Sequence, residues 1–134
     1  MWIYRGIPLD ETVVDKYDSF VYIITCPDGR KYIGKKTFWF MRKKPKATRR
    51  SKNESDWKKY YGSNEYLKEE TKKSTSGYTR EILHLCKTKG EATYLEVKEQ
   101  FTRNVLEDDS YINDNISGKF FRGRVKDWKE RNNG

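Results

Sequence analysis

Hydrophobic patterning is clearest at Phe20–Thr25, a β-branched and aromatic run closed by a turn and answered by a second short run, Arg30–Gly34. Pro27-Asp28-Gly29 supplies the turn, because Pro fixes its φ and Gly tolerates positive φ. The pattern predicts an antiparallel hairpin that brings Tyr22 and Tyr32 to neighbouring positions of a sheet. Tyr78–Cys86 reads as a third strand. Thr79, Glu81, Leu83 and Leu85 fall on one face, and Tyr78, Arg80, Ile82, His84 and Cys86 on the other. Both faces are partly apolar, as suits a central strand covered on both sides. Glu91–Asn104 is the best helix, with Tyr94, Val97, Phe101 and Val105 as an apolar stripe at helical spacing. Glu65–Lys73 predicts a short charged helix, and Glu54–Tyr61 a helical turn with Ser55 as N-cap.

Elsewhere the pattern is weaker. Met1–Ser19 reads as a lead-in whose Trp2, Ile3, Tyr4 and Ile7 pack on the domain edge, with Asp10–Lys16 a short turn or helix. Thr37–Met41 is apolar, and Pro45 limits a helix begun near Thr37. Lys43–Asn53 reads as a mobile loop, Glu107–Ser110 as a turn, Tyr111–Phe121 as irregular, and the tail from Arg122 as frayed. The elements add up to an α+β fold, a small three-stranded antiparallel sheet flanked by helices. One domain is expected over 1–134, with its core at about 20–121, a basic loop at about 42–53 and a basic tail at 122–134.

Composition narrows the picture. In 134 residues, 34% hydrophobic and 37% charged, the core must be small. Ten Tyr, six Phe and four Trp offset this and argue against wholesale disorder. The net charge of +9 is local: Lys35–Lys59 holds eleven Lys/Arg against Glu54 and Asp56, and the remainder is neutral. Such an excess is the footprint of a polyanion-binding face, with RNA and DNA undistinguished. Lys35, Lys36, Lys43, Lys44, Arg49, Arg50 and Lys58 are the cations expected on backbone phosphates. Trp39 and Trp57 lie among them, to pack beneath the loop or to stack on unpaired bases. Cys26 and Cys86 form no CxxC or Cys/His cluster, so they read as reduced thiols rather than zinc ligands. With no signal peptide or membrane-spanning run, a cytoplasmic protein is expected.

Two motifs add chemistry. Phe20-Val21-Tyr22 stands where a Gly-Ile-Tyr motif would, with Phe20 replacing Gly, and Tyr32-Ile33-Gly34 is a Tyr-Ile-Gly motif. The chain resembles the GIY-YIG endonucleases, and among them the Seg-like, homing-type enzymes of phages. That resemblance implies a DNA endonuclease, dependent on Mg²⁺ (or Mn²⁺), in which water attacks the phosphodiester. Such a reaction needs a carboxylate for the metal, a cation for the developing charge and a group to activate water.

By the resemblance, Glu96 in Ala92-Thr93-Tyr94-Leu95-Glu96 is the metal ligand, with Glu99 as competitor. Arg42, eight residues beyond Gly34, is implied as the catalytic cation on a helix after the second strand, where a guanidinium can grip phosphate with two bonds. Lys46 occupies the place one helical turn later where many members carry His or Tyr. If the chain has an insertion, Arg49 or Arg50 takes the role, with Tyr60 or Tyr61 as partner. Tyr22 and Tyr32 are implied as general base and as the group orienting water or phosphate. A phenol, ordinarily titrating near ~10, needs a cationic setting for this, and Lys35, Lys36 and Arg42 are the candidates. Asn115 is implied to brace the site, with Asn113 as alternative. His84, on a strand among apolar residues, reads as structural. The implied partner is DNA, double-stranded, met in the host cytoplasm if the chain is phage-encoded. No separate DNA-reading domain fits, so low sequence specificity or a protein partner that supplies targeting is expected. The competing readings are a nucleic-acid-binding protein without turnover and a protein-interaction module with a basic face.

Overall fold

The computed structural model describes residues 1–43 and 50–133, without the side chains of 41–43, 50–52 and 133. Its strands are β1 (Trp2–Tyr4), β2 (Ile7–Pro8), β3 (Ser19–Thr25), β4 (Lys31–Thr37), β5 (Trp39–Lys43), β6 (Arg50–Glu54), β7 (Thr79–Cys86), β8 (Asn115–Ile116) and β9 (Phe120–Phe121). The α-helices are α1 (Glu65–Lys73), α2 (Lys89–Thr102) and α3 (Arg122–Asn133), and 3-10 turns cover Glu11–Lys16 and Trp57–Lys59.

The expected hairpin and third strand form the antiparallel set β7-β3-β4. The sheet is larger than three strands, however: its order is β2-β1-β7-β3-β4, and β1 runs parallel to β7. The difference comes from the lead-in, which Trp2 anchors. Its buried indole packs edge-on against Phe20 at 5.0 Å and Tyr22 at 5.5 Å, and its Nε1 donates to the Trp57 carbonyl at 2.8 Å. The backbone on either side then has a sheet edge to extend. A strand of three residues joined in parallel carries no alternation of its own, so the sequence pattern is silent about it.

β3 is buried on both faces, as a central strand should be. Phe20, Tyr22 and Ile24 join Trp2, Phe38, Trp57, Leu67 and Ile82 in one core layer. Val21 and Ile23 join Ile33, Ala92, Val105, Leu106 and Ile116 in the other. Asn64 caps α1 by accepting from the Leu67 N–H, and Thr88 caps α2 by accepting from the Glu91 N–H. Among the described residues no helix is long and apolar enough to cross a membrane.

Three further expectations fail. The segment after β4 is not a helix begun near Thr37: β5 pairs antiparallel with β6, and Arg50–Glu54, expected within or beside a mobile loop, is strand. The tail is α3 rather than frayed chain. Its first residue, Arg122, donates from Nε and Nη2 to the Asn113 carbonyl and from Nη2 to the Val105 and Tyr111 carbonyls, at 2.6–3.0 Å. One guanidinium thus ties the helix to the loop after α2. Finally, α2 is rotated from its expected setting. Ala92 and Gln100 are its buried residues, while Tyr94 and Phe101 of the expected stripe face outward. Val105 is buried, but beyond the helix end. Small Ala92 lets the helix approach the sheet, and the polar side chains that follow it at helical spacing point inward with it.

Candidate active site

The tyrosine pair is set by the hairpin register. Tyr22 lies opposite Gly34 and Tyr32 opposite Ile24, a diagonal arrangement with ring centroids 6.3 Å apart. Gly34 is required by packing rather than by φ. A β-carbon built there would overlap the Tyr22 hydroxyl, lie 2.7 Å from its Cζ and 3.1 Å from Tyr32 Cε2. The glycine therefore leaves the space in which the Tyr22 phenol reaches the sheet edge. Tyr22 is wholly buried, and its Oη makes no hydrogen bond of good geometry, the Tyr60 hydroxyl being a polar neighbour that helps to raise its pKa. Tyr60 packs edge-on against it, centroids 5.9 Å apart.

Tyr32 lies in front of Tyr22 and lines a hollow of about 460 Å³. Ser63, Glu96, Gln100, Asn113 and Asn115 are among its other walls. Tyr32 Oη is 3.1 Å from Ser63 Oγ. Glu96 reaches the hollow because the inward face of α2 is the Ala92–Glu96–Gln100 face. It is half-buried, and burial holds its carboxyl above the usual range, with the Lys35 charge pulling the other way. The Glu96 charge acts in turn on both phenols. Acid and tyrosines from β3, β4 and α2 therefore share one electrostatic environment.

Among the described residues, Lys35 and Lys36 do not supply the cationic setting expected around the phenols, and the Arg42 side chain lies outside them. Burial raises Tyr22 well above its ordinary value, and the neighbouring phenols of Tyr60 and Tyr32 add to the shift. Tyr32 is raised by burial too, with its Ser63 hydrogen bond working against the shift. Lys36 pairs with Asp56 at 2.6 Å and lies over the Tyr60 ring at 4.2 Å. Lys35 donates to Thr93 Oγ1 at 2.6 Å, beside Glu96. Among the described residues, burial therefore favours the protonated form of both phenols.

Of the two asparagines that the resemblance offers as a brace, Asn115 and Asn113, the structure buries the second. Asn113 is buried: Ile33 N–H donates to its Oδ1 at 3.1 Å, and its Nδ2 donates to the Ile33 carbonyl at 2.8 Å. It thereby fixes the strand between Tyr32 and Gly34. Asn115 is exposed on the rim, and its Oδ1 accepts from the Gly118 N–H at 2.9 Å within its own turn. Sequence reasoning passed over Gln100. Its Nε2 donates to the Ile33 carbonyl at 3.1 Å, while its Oε1 is buried without a partner in the wall of the hollow. The available signal was its position, one helical turn after Glu96. Glu99 is occupied elsewhere, accepting from Arg103 Nε at 2.8 Å and lying 2.8 Å from His84 Nε2.

Among the other expected residues, Arg42 has its backbone in β5 opposite Ser51, and its side chain lies outside the described residues. The same holds for the side chains of Lys43, Lys44, Arg49 and Arg50. Lys58 is paired with Glu11 at 3.3 Å and Glu54 at 3.7 Å, beside Trp2 and Arg80. Trp57 is buried in the core rather than free to stack on bases, and both cysteines are buried free thiols.

The donor set suits a hard cation. Three carboxylates line the hollow, half-buried Glu96 and exposed Glu65 and Asp114, but among the described residues no three of His, Cys, Asp and Glu come together, and Glu96 is the one that points inward from α2 with neutral oxygens nearby. Mg²⁺ tolerates such a site, because it keeps much of its water.

Residues 2–116, from β1 to β8, match the model of the family described as putative endonuclease segE, GIY-YIG domain, and the chain belongs to this Seg-like GIY-YIG endonuclease family. No curated protein and no solved structure matches the chain.

Proposed function

We propose that the protein is a Mg²⁺-dependent DNA endonuclease whose cleavage site is the Tyr32–Glu96 hollow. The observation that carries this reading is the inward-facing, half-buried Glu96, beside the buried Tyr22 and the half-buried Tyr32, on the helix face where a purely structural design would place apolar residues. Glu96 is the residue to hold the cation, assisted through water by the Gln100 Oε1. A divalent cation there would supply Lewis acidity, lowering the pKa of a bound water and offsetting charge on the phosphate.

With both phenols held protonated, Tyr32 donates a hydrogen bond to the phosphate or to the attacking water. Tyr22 backs it and keeps the floor of the hollow dry. Asn113 holds β4 so that Tyr32 stays in position, and Lys35 balances the Glu96 charge when no cation is present. Arg42 is proposed as the group that stabilises the pentacoordinate phosphate, with Arg49 or Arg50 as the alternative. The basic segment after β4 grips backbone phosphates of duplex DNA without reading sequence.

The test is nicking of supercoiled plasmid with Mg²⁺. Cleavage is expected for the native chain, and abolished in Glu96→Gln with DNA affinity retained. Salt-sensitive DNA binding with no cleavage under Mg²⁺, Mn²⁺, Ca²⁺ or Co²⁺ would leave a binding protein on a nuclease fold and overturn the proposal.

A further inference from the structure

Beyond the hollow, the outer faces of α2, the β8–β9 hairpin and α3 carry five aromatic rings that the described residues leave largely exposed. Tyr94, Phe101, Phe120, Phe121 and Trp128 are 48–66% exposed. Phe101 packs edge-on against Phe120, centroids 5.5 Å apart. Phe120, Phe121 and Trp128 line a second, shallow hollow of about 200 Å³ together with Lys119 and Arg124. Large rings left this open are costly for a monomer and mark a binding surface.

The charge says what kind. α3 holds five Lys/Arg against Asp127 and Glu130. Lys126 and Lys129 pair with Asp109 and Glu107, but no ion pair involves the side chains of Lys119 or Arg124 among the described residues. A second copy of the chain would set the cation-rich α3, five Lys/Arg to two acids, against its own like. Rings interleaved with uncommitted cations suit a polyanion with flat apolar faces, which describes unpaired nucleotides. Position agrees. Asn115 and Ser117 of the β8–β9 hairpin line the first hollow, and Phe120 and Phe121 line the second. A strand leaving one passes over a single short hairpin to reach the other.

We propose that the Phe120–Phe121–Trp128 surface is a binding site for single-stranded nucleic acid. Two or three bases stack on its rings, and Lys119 and Arg124 meet the flanking phosphates. The site takes the unpaired strand beside the scissile bond, an assignment that rests on the nuclease reading for its place but not for its chemistry.

The test uses the full chain, a fluorescein-labelled twelve-residue oligo(dT) and a blunt duplex of the same length, followed by anisotropy and by tryptophan emission. Oligo(dT) is expected to quench emission, and Trp128→Phe to remove most of the quench, because Trp2 and Trp57 are buried and Trp39 is partly buried against the core with its Nε1 donating to the Val14 carbonyl. Trp128→Ala and Phe121→Ala are expected to weaken oligo(dT) binding about 5- to 100-fold while duplex affinity changes less than about twofold. Lys119→Ala/Arg124→Ala, which leaves the rings in place, is expected to reduce the slope of log affinity against log salt by about 1.4. Native-like oligo(dT) affinity in both ring variants, equal losses on both probes, or an unchanged salt slope would each overturn the site. So would a dimer by sedimentation that Trp128→Ala dissolves, which would give the face to a second copy. Oligo(dT) binding that survives with no plasmid nicking would instead remove the cleavage reading and leave this one standing.

Discussion

Replacing Gly34 by Ala isolates the contact on which the tyrosine pair depends. The φ of Gly34 lies outside the left-handed range, so the backbone accepts a side chain and the cost is steric. The new methyl would meet Tyr22 at Oη and Cζ, and that phenol is wedged between Trp2, Phe20, Tyr60 and Tyr32 with no exposed surface. Overpacking a tight core costs about 1–3 kcal/mol, and a neighbour this confined places Gly34→Ala at about 2–3 kcal/mol. For a chain of this size that corresponds to a melting temperature lowered by roughly 8–12 °C. Tyr22→Phe deletes the first atom in the way, and that atom is a buried hydroxyl that makes no hydrogen bond of good geometry. Alone it should be neutral or stabilising by up to about 1 kcal/mol. Combined with Gly34→Ala it should recover more than about 1 kcal/mol, a coupling read from a double-mutant cycle in urea. Gly90→Ala is the control. It sits in the first turn of α2 with nothing within 4 Å, and should gain up to about 1 kcal/mol from helix propensity. A Gly34→Ala variant within about 0.5 kcal/mol of the native chain, or a double variant no more stable than the single, would refute the packing argument.

Four further outcomes follow from the same geometry. Glu96 has a folded-state pKa above its unfolded one, so its contribution to stability is best below the unfolded value near ~4.3 and is lost as pH rises through the folded value. Glu96→Gln should therefore melt higher than the native chain at pH 7, with the difference closing below pH ~4, while losing both nicking and any Mg²⁺-induced thermal shift. Nicking by the native chain should rise from acid pH as Glu96 deprotonates and stay level to pH ~9; a fall beginning near neutrality would contradict the proton-donor role assigned to Tyr32. Asn113→Ala should cost about 2–4 kcal/mol by denaturant melts, because it strands the buried Ile33 N–H, whereas Asn115→Ala should cost under about 1 kcal/mol. Arg122→Ala should cost roughly 2–4 kcal/mol and accelerate amide exchange in the loop 105–113; normal exchange there would show that the guanidinium is not what holds the loop.

Legibility followed the local signals. α1 has the boundaries the sequence predicts, Glu65–Lys73, and β3, β4 and β7 each fall within a few residues of theirs. These elements carry their own caps, turn residues or alternation. Interactions between distant segments decided the rest. β1 exists because Trp2 finds a pocket some fifty residues away in sequence, against Trp57. α3 is tied down by carbonyls of a loop with no recognisable pattern. α2 departs from its sequence pattern because aromatic residues usually mark the core face, whereas Tyr94 and Phe101 lie outside and Glu96 and Gln100 turn inward. A helix that hides its polar side breaks the ordinary patterning rule where a site is to be built. The two tyrosines were legible as a pair, but not that one would be sealed behind the other.

β4 is the outermost strand of the sheet, the position from which proteins recruit foreign strands and begin to aggregate. Here the outward edge is covered at Lys31 and Ile33: the Asn113 side-chain amide takes both main-chain groups of Ile33, the Gln100 side chain shares its carbonyl, and the backbone of Ser110 and Ile112 engages Lys31. The amides that line the hollow therefore also serve as a plug against intermolecular β-addition. Evolution at positions 100 and 113 is constrained twice over, since a change that loosens the hollow also bares a sticky border, and solubility is lost along with order in the cleft.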